Sequence, residues 1–239
     1  TELTWFINAK KEAGLRPAAV EAYDEWTRRR VELHADYEAQ CQREGVVDFA
    51  ELLLRSYELL ERNEPLRRHY QERFAHILVD EFQDTNWAQY ELVKMLVDRT
   101  RNLTVVGDDD QAIYKFRGAS LANILQFRDD FPEAKTVALV DNYRSKKEIL
   151  DTAYQFIKKN DPNRLEGRLG ISKELQAMVG DGGSVQALWL PSEQMEAEAV
   201  VRDIEQKKSN DPELTWNDFA ILVRSNDGAT PFVRACERF

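Results

Sequence analysis

Ile77, Leu78 and Val79 lead directly into two adjacent carboxylates, Asp80 and Glu81, and the segment continues through Phe82, Gln83, Asp84 and Thr85. Such an apolar run suits a buried parallel strand, and ligand chemistry in open α/β sheets gathers at the carboxyl ends of such strands. Of two successive carboxylates there, one can hold magnesium through its oxygens or its waters. The other can orient and deprotonate a nucleophilic water. A second segment repeats the design: Leu103 to Val106 are apolar or β-branched, Gly107 permits a tight exit, and Asp108, Asp109, Asp110 and Gln111 follow. Gln111 is a neutral hydrogen-bonding group suited to sensing a terminal phosphate. Next come Tyr114, Lys115, Phe116 and Arg117, ring faces interleaved with cations. Single-stranded nucleic acid is gripped in this way without sequence reading, with rings on bases and cations on phosphates. A third run, TVALV, ends in Asp141, Asn142, Tyr143, Arg144 and Ser145. Arg144 suits an arginine finger reaching a γ-phosphate in cis, and Tyr143 suits stacking on a base. Taken singly, each segment has a plainer reading: a solvated strand-to-loop turn, a core aromatic pair with surface charges, an ordinary turn. Their order along the chain argues for the chemistry.

The elements that must position these groups change character near residue 76. Beyond it, HILVDE, LTVVGDDD, TVALVDNYRS, SVQALWL and FAILVRSN read as strands, and WAQYELVKMLVDR and SLANILQFRDDF read as helices between them. This alternation predicts right-handed crossovers and a parallel sheet with helices on both faces. Before it, residues 18–44 place Tyr23, Trp26, Val31, Leu33 and Tyr37 at helical spacing, with Pro17 at the start and Gly45 as C-cap. Asp48 is the expected N-cap of a second helix over FAELLLRSYELLERN, which Asn63, Glu64 and Pro65 end. Residues 158–169 and 178–184 are rich in turn formers and charge and are read as exposed connections.

A chain of 239 residues with 43% hydrophobic and 10% aromatic content can bury one large or two modest cores. No apolar run approaches the roughly eighteen residues of a membrane span, and no signal-peptide pattern opens the chain. A soluble, cytoplasmic protein is expected. Cys41 and Cys236 read as free thiols, and His34, His69 and His76 stand apart without a second ligand at metal spacing. A net charge of −10 argues against a general charge-driven nucleic-acid binder, though not against a local grip by rings and a few arginines.

VDEFQDT, GDDDQAIYKFRGA and NYRS, in this order and at these separations, resemble motifs II, III and IV of the UvrD/PcrA/Rep family of superfamily 1 DNA helicases. Weaker similarity runs through GLRPAAVEAY, VDFAELLLRS, EAEAVVRDI and FAILVRSN. The resemblance implies RecA-like P-loop NTPase motor domains, each a parallel sheet flanked by helices, that clamp ATP and Mg2+ and step 3′ to 5′ along single-stranded DNA. By position, Asp80 resembles the magnesium ligand, Glu81 the general base, Gln111 the glutamine coupling γ-phosphate to DNA, and Arg144 the arginine of the second motor domain. Tyr143 matches the position that stacks on adenine, and Tyr114, Phe116 and Arg117 match DNA contacts. Phe116 stands where Trp is frequent, and Lys115 replaces a common glycine. Arg224 and Asn226 align with a further segment near the DNA path.

None of the ten glycines is followed by lysine, so the phosphate-cradling GxxxxGK[ST] loop is absent from this sequence. The resemblance places that loop upstream and the final motifs downstream. The chain is then expected to be an internal fragment of a DNA helicase, catalytically silent alone. Residues 1–70 would close an all-helical accessory domain, 71–140 would return into the first motor domain, and 141–239 would begin the second. Implied partners are single-stranded DNA, single-strand/duplex junctions, and repair or replication proteins. Two other readings stay open: the helicase subunit of a recombination helicase-nuclease, and a non-hydrolysing DNA-binding adaptor that lost its phosphate loop.

Overall fold

The computed structural model describes residues 2–97, 100–113, 121–162 and 164–238. The chain forms two compact units, residues 1–140 with 154–174, and residues 141–153 with 175–239.

The first unit begins with helices α1 (Glu2–Glu12), α2 (Glu25–Glu44), α3 (Phe49–Arg62) and α4 (Glu64–Arg73). Local chemistry sets their ends. Asp48 caps α3 by accepting from Glu51 N–H at 2.7 Å, and Gly45 ends α2 in the left-handed conformation at φ 67°. The predicted helix over 18–44 starts later than its spacing suggests. Asp24 accepts from Thr27 N–H and caps α2 there, so Pro17–Ala19 form a separate 3-10 turn.

Apolar residues Ile7, Ala50, Leu54 and Leu60 are buried, but this helical region also encloses charge. Lys11 is 1% exposed and pairs with Asp48 at 2.8 Å and Glu51 at 2.9 Å. Glu51 also meets Arg16 at 2.8 Å and Arg55 at 2.6 Å. Burial alone would raise the Glu51 carboxyl; hydrogen bonds from Lys11, Arg55 and Arg16 outweigh it and bring the pKa from 4.5 down to about 2. A carboxylate depressed on folding contributes stability that is complete above its unfolded pKa and is lost as pH falls through the folded one. The shift corresponds to roughly 3 kcal/mol. Calorimetry between pH 5 and pH 2, about the range of that titration, is therefore expected to show a falling melting temperature whose slope Glu51→Gln flattens. An unchanged slope would remove Glu51 from this role.

The remainder of the unit holds strands β1 (Ile77–Val79) and β2 (Leu103–Val105), with helices α5 (Trp87–Leu96) and α6 (Leu121–Asp130) following them. The strands are parallel, in the register Ile77↔Leu103, Leu78↔Thr104 and Val79↔Val105. Asn86 and Gln89 form a reciprocal capping box at the start of α5. Phe82 packs edge-on against Tyr90 and Phe127, with ring centroids 5.3 and 5.7 Å away, and Phe127 stacks on Phe131 at 4.9 Å. This aromatic cluster anchors the loop that leaves β1.

In the second unit, β3 (Asp141–Asn142) pairs in parallel with β4 (Gln176–Ala177), a strand the sequence does not announce. Helix α7 (Lys147–Ile157) follows β3, and α8 (Leu165–Leu169) lies within residues assigned to the first unit. Helices α9 (Glu193–Asn210) and α10 (Thr230–Cys236) bury Ala197, Val201 and Ala235 between them.

The predicted fold class holds as a helix-rich α/β chain with small parallel sheets, less extensive than the alternation suggests. Among the described residues, SVQALWL, FAILVRSN and most of TVALVDNYRS carry no ladder, and Trp189 and Leu222 in these runs stay exposed. A strand is a property of a pair, so β-branched composition without a neighbour leaves only extended chain. Among the described residues no helix is long and apolar enough to cross a membrane.

Candidate functional site

Parallel pairing in register delivers the ends of β1 and β2 side by side. The ladder continues past both strands, since Val106 N–H donates to Val79 O and Phe82 N–H donates to Val106 O, each at 2.8 Å. Asp80 and Glu81 thus leave β1 beside Gly107 and Asp108. Both carboxylates are exposed, and Asp80 Oδ1 accepts from Glu81 N–H at 2.9 Å.

Glu81 sits at φ 49° and ψ 42°, a left-handed conformation that costs a non-glycine residue about 1–2 kcal/mol. That twist turns its carboxylate toward Gln83. The Gln83 side chain is buried, 1% exposed, and its Nε2 donates to Glu81 Oε2 at 2.6 Å while its Oε1 accepts from Asp108 N–H at 3.0 Å. Asp108 in turn accepts from Gln111 Nε2 at 2.9 Å. Glu81, Gln83, Asp108 and Gln111 therefore form one hydrogen-bonded line between the two segments.

Gly107 owes its place to space rather than to backbone freedom. A Cβ there would lie 3.1 Å from Gln83 Oε1 and 3.4 Å from Gln83 N and Phe82 Cβ. Thr85 supports the same loop, its hydroxyl donating to Phe82 O at 2.7 Å, and Asn123 Nδ2 donates to Thr85 O at 2.9 Å.

Asp108, Asp109 and Asp110 place ligand atoms within 4.8 Å of one another, but cations of the chain already occupy the cluster. Lys173 Nζ reaches Asp108, Asp109 at 2.5 Å and Asp110 at 2.9 Å. Arg164 grips Asp110 with two hydrogen bonds of 2.7 Å. Burial would raise the Asp110 carboxyl, yet the hydrogen bonds from Arg164 and Lys173 hold it below the usual carboxylate range. Burial would also lower the Lys173 ammonium, and its aspartate partners raise it instead.

Tyr143 and Arg144 are exposed in the second unit, just after β3, where Asn142 Oδ1 accepts from Arg144 N–H at 3.0 Å and Ser145 N–H at 2.8 Å. Arg224 and Asn226 are exposed in that unit, Asn226 opening a short 3-10 turn. Tyr114, Phe116 and Arg117 lie outside the described residues. The structure thus brings Asp80, Glu81 and Gln111 together within one unit.

A family model described as the UvrD/REP helicase N-terminal domain matches residues 1–132, and one described as the UvrD-like helicase C-terminal domain matches residues 137–237. The chain belongs to the UvrD/REP helicase family. It is 43% identical over 225 residues to a protein named DNA helicase II from Escherichia coli strain K12, covering 93% of this chain and 30% of that relative. It is 39% identical over 209 residues to a protein named ATP-dependent DNA helicase PcrA from Staphylococcus aureus strain Mu50, covering 87% of this chain and 27% of that relative. The chain spans about 30% of the length of the curated relatives it matches.

Three residues at this family member's site escaped the sequence reading. Gln83 was in view within DEFQDT, but nothing in its spacing marks it as a buried bridge. Arg164 and Lys173 lie 54 and 65 residues beyond their aspartates. Arg164 falls in the stretch 158–169 read as an exposed connection, yet it is 3% exposed and Leu165 is buried beside it. Turn-forming composition reports backbone shape, not what a guanidinium finds across the fold.

Proposed function

We propose that this chain is the part of an ATP-dependent DNA helicase in which the two motor domains meet in sequence. The observation that carries this reading is the in-register delivery of Asp80 with Glu81 and of Asp108 with Gln111 to the carboxyl ends of adjacent parallel strands. The second motor domain begins at Asp141, where the second unit also begins, although residues 154–174 group with the first unit; residues 1–70 are the helical accessory segment and 71–140 the return into the first motor domain.

Asp80 and Glu81 are exposed, hard oxygen donors side by side, which fits a magnesium-type ion that keeps most of its waters. When bound, the ion neutralises phosphate charge. Asp80 is its ligand, Glu81 takes the proton of the attacking water, and Gln111 contacts the γ-phosphate. Arg144 supplies positive charge to the transition state from the second motor domain, and Tyr143 stacks on the adenine. Tyr114, Phe116 and Arg117 grip single-stranded DNA, with Arg224 and Asn226 along its path, and hydrolysis drives stepping in the 3′ to 5′ direction at single-strand/duplex junctions. The chain alone, with no phosphate-cradling loop in its sequence, does not turn over ATP.

ATP turnover by the full-length protein, with and without oligo-dT, tests this. Stimulation by the strand is expected, and Phe116→Ala should weaken strand binding by roughly 1–3 kcal/mol. Turnover indifferent to DNA, or robust turnover by residues 1–239 alone, would overturn it.

A further inference from the structure

We infer that Arg164 and Lys173 are positioning residues that clamp the Asp108–Asp110 loop and thereby set Gln111; this rests on the reading of Gln111 as the γ-phosphate contact. The clamp is built from one short segment. Arg164 Nε and Nη2 form a planar fork on the Asp110 carboxylate, each bond 2.7 Å, and Leu165 N–H donates to Asp109 Oδ2 at 2.7 Å. Lys173 Nζ caps all three aspartates.

The segment is itself braced. Glu166 accepts from Arg164 Nη1 at 2.8 Å, from Tyr154 OH at 2.9 Å and from Lys173 N–H at 3.1 Å, so both cations are tied to one carboxylate. A guanidinium fork that is 3% exposed fixes both the place and the plane of its partner, which a surface pair does not. Asp108 is the point of transmission, because one of its oxygens meets Lys173 while the other accepts from Gln111 Nε2. Remove the Lys173 charge, and Asp108 Oδ1 keeps the Asp110 N–H at 3.1 Å but loses its ionic partner, which loosens its hold on Gln111. Three neighbouring carboxylates would also repel one another and open the 3-10 turn Asp109–Gln111.

The test uses the full-length protein with Lys173→Met, which keeps the stem and removes the charge, together with Gln111→Ala, the double variant and Lys173→Arg. Without nucleotide, Lys173→Met should raise hydrogen exchange in a peptide covering 108–113 about tenfold while α3 and α5 keep theirs. DNA-stimulated kcat should fall about tenfold with KM for ATP within about twofold, Lys173→Arg should recover most of it, and Lys173→Met should add little to Gln111→Ala. Unchanged exchange at 108–113 would overturn the clamp whatever the turnover. Losses that multiply in the double variant would overturn the route through Gln111. Raised exchange with normal turnover in Gln111→Ala would uphold the clamp and overturn the reading of Gln111 instead.

Discussion

Glu81→Gln in the full-length protein is expected to leave ATP binding within a few-fold while single-turnover hydrolysis falls about 10²- to 10⁴-fold, the usual contribution of a positioned general base. The substitution is nearly isosteric. Asp80, the proposed metal ligand, is untouched, and a glutamine oxygen can still accept from Gln83 Nε2, so the line to Asp108 survives. What is lost is the capacity to take a proton. The backbone at 81 adds a second argument, because its left-handed conformation has a cost and directs the carboxylate to Gln83 Nε2. Rapid-quench measurement of one turnover separates hydrolysis from binding and release. Unchanged hydrolysis would take Glu81 out of the mechanism and leave its conformation as a feature of the turn.

Lys11→Met is expected to destabilise the helical region by about 3–5 kcal/mol, the usual result of stripping one partner from a buried ion pair. Lys11 is the sole cation that reaches both Asp48 and Glu51 among the described ion pairs, and its ammonium also lies 5.2 Å from the Tyr37 ring centre. Met fills the stem but, among the described ion pairs, leaves Asp48 without a cation and Glu51 with Arg16 and Arg55 alone. Asp48 also caps α3, and the helix start offsets part of the cost of its unpaired charge. Urea titration followed by circular dichroism reads the loss. Replacing Lys11 and Glu51 together by apolar residues should recover part of it, because the desolvation of both charges is then avoided. A single variant as stable as the parent would show that water reaches this site and screens the pair.

The parts of this fold that were legible in the sequence are those set by neighbours along the chain. Asp48 and Gly45 mark helix ends because a cap is made within a few residues. DEFQDT and GDDDQ mark strand ends because an apolar run followed by carboxylates has few other uses. The runs around Trp189 and Leu222 misled, since β-branched composition states a preference and only a partner strand converts it into a ladder. Gly107 suits a tight exit from its strand, and only the fold shows that it also clears space for Gln83. Arg164 was illegible for a stronger reason: an arginine in a turn-rich stretch looks solvated unless its distant carboxylate is known. The joining of Asp80, Glu81 and Gln111 was anticipated as chemistry, whereas the amide of Gln83 that links them is visible only in three dimensions.

The parallel pairing of β1 with β2 also bears on how this chain can lengthen or shorten during divergence. Residues alternate faces along a strand, so one residue gained or lost within 77–81 or 103–107 would invert every side chain beyond it and carry Glu81 or Asp108 away from the shared amide. The constraint begins before β2 itself, because Asn102 O already accepts from Ile77 N–H at 3.0 Å. Insertions and deletions among descendants of this sequence should accordingly avoid the two strand exits.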